Sequence, residues 1–173
     1  MLTKNIESAL NSQIEYEAYA SFLYLAMATW SDREGLSGCA EFLYRQSEEE
    51  RDHMMRMVHY INEMGHHAII PGINQPPIEY DSIQSLFQQV YESELKVTAQ
   101  INALIDLCYK EDDHMTLNFM QWFVSEQREE EAMVRTILDK IKLVGTGPQH
   151  LYFIDQELQR INKAVQSTSN NQN

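Results

Sequence analysis

Glu48-Glu49-Glu50-Arg51-Asp52-His53 lies midway along a helical pattern running over residues 36–64, and its reading decides the fold. Residues three apart on a helix share a face, so Glu50 and His53 present a carboxylate oxygen and an imidazole nitrogen to one point. The inward stripe at that spacing reads Leu43, Gln46, Glu50, His53, Met57 and Tyr60. Two ligand-type residues thus interrupt a largely apolar or aromatic face, and they point at the core. Glu-x-x-His alone is a weak motif, and a run of glutamates is ordinarily a solvated face, so the missing ligands must come from elsewhere in the chain.

Three further helices offer them. Residues 3–30 are helical, opened by Thr3 as N-cap, with the stripe Ile6, Leu10, Gln13, Glu17, Ala20, Tyr24 and Met27. Its second half, residues 18–30, carries no charge and is apolar nearly all round. A helix apolar on every side must be covered on every side, so Phe22 and Leu25 on the outer face are expected to meet a second subunit. The stretch Asp81-Ser82-Ile83-Gln84 reads as a capping box opening a helix to about residue 109, with the stripe Phe87, Val90, Glu94, Val97, Ile101 and Leu104. After the turn Lys110-Glu111-Asp112-Asp113, the next stripe is Phe119, Phe123, Gln127, Glu130, Val134, Ile137 and Ile141. A short fifth helix over residues 149–161 follows the break Val144-Gly145-Thr146-Gly147-Pro148.

The second helix stops at Gly65, and residues 65–80, with Pro71, Gly72, Pro76 and Pro77, have no helical pattern. About 16 extended residues reach about 50 Å, whereas a helix of about 28 residues is about 42 Å long, so this segment can run the length of a bundle. Short connections elsewhere make antiparallel pairs, giving an all-α four-helix bundle with one long crossover and a short C-terminal helix. Glu17, Glu50, His53, Glu94, Gln127 and Glu130 then converge at its centre. Four buried carboxylates without counter-charge would cost several kcal/mol each, against a net stability of roughly 5–15 kcal/mol. Two divalent cations balance them; the alternative is a protonated, hydrogen-bonded polar core. Carboxylate and imidazole without thiolate suit iron or manganese better than structural zinc.

The chain of 173 residues is one domain, expected over residues 1–162, with a polar, disordered tail over 163–173. A net charge of −13 argues against nucleic acid and anionic membranes and makes cations the expected partners. Cys39 and Cys108 fall inside helical patterns, which suits free thiols in a reducing compartment, hence the cytoplasm. The N-terminus has no apolar signal region, and no uncharged apolar run reaches the roughly 18–20 residues of a membrane span.

Over residues 1–162 the stripes and their ligand spacing closely resemble the non-haem bacterial ferritins, a family of ferritin-like four-helix bundles. The resemblance implies that Glu17, Glu50 and His53 hold one iron. Glu50 would bridge to a second held by Glu94 and Glu130, with Gln127 and Tyr24 close by as catalytic neighbours. It further implies a third iron at Glu49, Glu126 and Glu129, with Glu130 shared. The implied activity is a ferroxidase: Fe(II) is oxidised by O2 or peroxide and stored as ferric mineral in a homo-oligomeric shell of 24 subunits.

Where bacterioferritins and many di-iron oxygenases repeat Glu-x-x-His, the fourth helix here reads Gln127-Arg128-Glu129-Glu130, so the second iron lacks a histidine and should be held more loosely. That absence also disfavours the alternative of a di-iron oxygenase or peroxidase acting on a small substrate. Arg51 stands where bacterioferritins place a haem-ligating methionine, so no haem is expected. Animal ferritins are similar in lining three-fold pores with carboxylates, at positions that Leu117 and Met120 take here.

Overall fold

The Thr3 hydroxyl accepts from the Ile6 amide at 3.3 Å and opens α1, Lys4–Arg33. The structure, a computed structural model, describes residues 2–147 and 149–169, the last five of them as backbone only. Helix α1 continues past Trp30, where the sequence pattern ended it, because Ser31 turns inward and donates to the Met27 carbonyl at 2.9 Å. The chain then breaks at Gly35, whose φ of 77° favours glycine. Helix α2, Ser37–Glu63, stops before Gly65 at φ 79°, the left-handed stop expected there.

Helix α3, Ile83–Lys110, is capped one residue later than the expected Asp81 box: the Ser82 hydroxyl accepts from the Ser85 amide at 3.0 Å. Asp113 caps α4, His114–Val144, by accepting from the Thr116 amide at 2.9 Å. Helix α5, His150–Ser169, outruns its expected end at residue 161, because Leu158 and Asn162 are buried against the bundle. Residues 163–169 of the expected tail are therefore helical, and 170–173 lie outside the described residues.

Among the described residues the fold is all-α: α1 packs along α2, α3 along α4, α1 against α3, and α5 against α2 with a smaller contact on α4. The crossover is fastened at both ends of α1. The Ile69 amide donates to Asn11 Oδ1 at 2.6 Å near one end. At the other, Tyr80 stacks edge-on to Trp30 at 5.6 Å, and Arg33 pairs with Glu79. Helix α5 closes the bundle by finishing α2: Leu36 offers no side-chain cap, and Asp155 Oδ1 instead accepts the Cys39 amide at 2.9 Å. Gly38 permits that approach, since a Cβ there would run into the Asp155 carbonyl oxygen.

The apolar interior falls into two clusters. One gathers Tyr24, Met27, Phe42, Leu43, Phe87, Val90, Val134 and Ile137. The other gathers Ile6, Leu10, Ile14, Met57, Ile61, Val97, Ile101, Met120 and Phe123. Met120 is fully buried, so it cannot line a surface pore; the helix turns its Met120 face inward and leaves Phe119 half-buried. Glu17, Gln46, Glu50, His53, Glu94, Gln127 and Glu130 are all buried, at chain positions between those of the two clusters, and make a polar layer.

Candidate metal centre

Glu17 on α1 and Glu50 and His53 on α2 each offer one ligand atom, and those atoms lie within 4.8 Å of one another. Their helical registers explain this. Glu17 and Glu50 stand mid-helix on antiparallel neighbours, and the three-residue step to His53 brings its Nδ1 to 3.3 Å from Glu50 Oε2 and 3.9 Å from Glu17 Oε2. The imidazole is held by edge-on contacts with Trp122 at 5.3 Å and Phe123 at 6.2 Å. Gln13, one turn before Glu17, donates to its Oε1 at 2.9 Å, while Glu17 Oε2 accepts no hydrogen bond.

Across the bundle, Glu94 on α3 accepts from the Tyr24 hydroxyl through Oε1 and from Gln127 Nε2 through Oε2 at 2.6 Å. Gln127 also donates to the Glu94 carbonyl at 3.1 Å, which locks that side chain against α4. Glu130 Oε2 accepts from Gln46 Nε2 at 2.9 Å. Glu17 and Glu130 thus each have one oxygen fixed, and Glu94 has both.

Burial, then the Glu50 charge, holds Glu17 well above the ordinary carboxylate range. Burial, then Glu94, does the same to Glu50. Burial raises Glu94 against the hydrogen bonds from Tyr24 and Gln127, and burial followed by Glu94 pushes Glu130 to about 8. Tyr24 is raised by burial and by Glu94. The raised proton affinity of these carboxyls reflects their burial and mutual repulsion, and divalent cations would meet the same need for positive charge with the acceptor set present. The open Oε2 of Glu17 shows the fit most directly, since it is buried without a hydrogen-bond partner and lies 3.9 Å from His53 Nδ1.

Among the described residues, Glu94 and Glu130 form no second trio at ligand distance, and neither do Glu49, Glu126 and Glu129. Like charges turn to other partners: Glu49 Oε1 pairs with Arg45 at 2.5 Å, and Glu129, its side chain 69% exposed, pairs with Arg128 at 3.3 Å. Glu126 is half-buried. Sequence reasoning passed over Gln13 and Gln46 as site residues, although both stand on the inward stripes beside the carboxylates. Trp122 and Arg45 carried no such signal.

A family model described as a ferritin-like domain matches residues 7–144. A bacterial non-heme ferritin of Campylobacter jejuni is 40% identical over 161 residues, covering 93% of this chain and 96% of that protein. One from Escherichia coli is 40% identical over 158 residues, covering 91% and 96%. Among solved structures, an open pore ferritin from the archaeon Archaeoglobus fulgidus superposes with a TM-score of 0.89 at 39% identity, covering 91% of this chain and 96% of that one. The chain belongs to the ferritin family.

Proposed function

We propose that this chain stores iron as a ferroxidase, taking Fe(II) as substrate and ferric mineral as cargo. The observation that carries the reading is the buried Glu17–Glu50–His53 trio with its open carboxylate oxygen, set in a layer of four buried carboxyls. Glu17, Glu50 and His53 would hold one Fe(II), and Glu50, Glu94 and Glu130 a second. Each Fe(II) loses one electron; O2 takes both with two protons and leaves as H2O2, or peroxide takes them and leaves as water. Tyr24 and Gln127 fix the two oxygens of Glu94, so the second site is prepared without a histidine. Glu49, Glu126 and Glu129, with Glu130, would take iron in transit to the mineral, where hard carboxylate oxygens suit Fe(III).

The working particle is a cytoplasmic homo-oligomeric shell, proposed at 24 subunits, built from the domain over residues 1–162. The exposed Phe22 (52%) and Leu25 (41%) on α1 supply a contact face. Glu50→Ala and His53→Ala are expected to abolish the rapid phase of Fe(II) oxidation in stopped-flow mixing while shells still assemble. Rapid oxidation at the wild-type rate in either variant refutes the site.

A further inference from the structure

Glu49 already holds a cation. Arg45, one turn earlier on α2, donates from Nη1 to Glu49 Oε1 at 2.5 Å, and its Nε donates to Asn162 Oδ1 of α5 at 2.7 Å. The guanidinium lies over the Phe42 ring, 5.3 Å from its centroid, and the side chain is 15% exposed. Asn162 is 3% exposed, so the arginine is moored to a buried part of α5.

This pair leaves buried polar atoms unpaired. Glu49 Oε2 and Gln46 Oε1 are buried acceptors with no donor, and Arg45 Nη2 is a buried donor with no acceptor. Gln46 stands three residues before Glu49 on the same helical face, and its Nε2 is committed to Glu130. The charge of Glu49 is also felt by its neighbours: after burial and Glu94, it helps to raise Glu130. An ion pair serving stability alone would be expected to satisfy these atoms, because open buried acceptors cost free energy. Two open acceptors, one of them on the side chain that is bonded to Glu130, suit an arriving cation.

We propose that Arg45 is the resident counter-ion of the transit site, a positioning residue that holds Glu49 through Oε1 until iron takes Oε2 and competes with the guanidinium. The inference rests on the third-iron reading above. Its consequence is a deliberately weak site: the fixed positive charge keeps Glu49 ordered when iron is absent and lowers the affinity when iron is present. Asn162 makes that balance depend on α5, since an unmoored guanidinium swings away more easily.

The test is calorimetric titration of metal-free assembled shells with Zn(II), a redox-inactive stand-in for Fe(II), in wild type, Arg45→Gln, Arg45→Lys, Asn162→Ala and Glu49→Gln. Arg45→Gln should tighten the weakest binding event about tenfold, on the order expected for one screened unit charge beside a divalent ion, and leave the two tighter events within twofold. Asn162→Ala should fall between wild type and Arg45→Gln. Arg45→Lys keeps the charge and should stay near wild type, which separates electrostatics from packing. An unchanged weak event in both Arg45→Gln and Asn162→Ala overturns the role of Arg45 and leaves the third site standing. A weak event that survives Glu49→Gln, or appears in no protein, removes the third site and this inference with it. Should Arg45→Gln fail to assemble, Asn162→Ala decides on its own, with wild-type affinity as the refuting result.

Discussion

Glu130→Gln isolates the electrostatic strain of the metal-free centre. Folded Glu130 titrates at about 8, against an ordinary 4.5, because burial and the Glu94 carboxylate disfavour its charge. Between those two pH values the folded chain binds a proton that the unfolded chain has released, so stability falls as pH rises. The contribution is fully present below about 4.5 and is lost as pH rises through about 8. At about 1.4 kcal/mol per pH unit the interval corresponds to at most roughly 5 kcal/mol. An unfolding entropy of about 2 cal/mol/K per residue converts this to a Tm change of at most about 14 °C for a chain of this length.

Glutamine keeps the shape, and its amide can still pair with Gln46, but it cannot ionise. Metal-free shells of wild type and Glu130→Gln are to be compared by scanning calorimetry between pH 5 and 9 at one protein concentration and scan rate. The two should nearly coincide at pH 5, and the variant should be the more stable by several degrees at pH 9, while it binds the second metal poorly. Parallel pH curves would refute the reasoning, since the alkaline loss would then come from groups other than Glu130.

Phe22→Glu, which places a charge on the exposed apolar face of α1, should release small species on size-exclusion chromatography; a wild type that is monomeric in dilute solution would refute the shell. Gly38→Ala sets a methyl group against the Asp155 carbonyl and should cost about 1–3 kcal/mol, read as a lower Tm and faster proteolytic cutting between α4 and α5. Glu157, paired with Arg160 and Lys140, is held down at about 2; its stabilisation is present above about 4.5 and lost as pH falls through about 2. Glu157→Gln should remove this acid transition, seen as a smaller fall in Tm than in wild type as pH drops from about 4.5 to about 2.

The four helices and the crossover were legible because burial leaves a periodic mark: apolar residues recur at helical spacing, and each departure from that rhythm costs enough to need a reason. Glu17, Glu50, His53, Glu94, Gln127 and Glu130 were found as such departures, and all six are buried. The register of caps was less legible, since Asp81 and Ser82 are equally good caps on paper and only the backbone selects Ser82. The length of α5 was hidden for a different reason. Past residue 161 it reads as polar, and Asn162 is held by a contact with Arg45 that no periodic pattern records. Partner choice at the edge was hidden likewise, because Glu49 and Glu129 look alike in sequence, yet one meets a moored arginine and the other an exposed one.

The arrangement of the interior bears on why such a costly layer of buried carboxyls can persist. Each apolar cluster draws on α1, α2, α3 and α4, so the polar layer is clamped on both sides by packing that the carboxyls do not share. Repulsion among them cannot be relieved by fraying, which is available only at helix ends, and close-packed cores yield little to strain. It is relieved instead by proton uptake, the direction in which Glu17, Glu50, Glu94 and Glu130 all move. Loading with a divalent cation would then exchange protons for metal on a backbone already in place, and unloading would reverse the exchange without unfolding the helices. A storage protein that fills and empties needs that reversibility, and the two flanking clusters provide it at the level of packing.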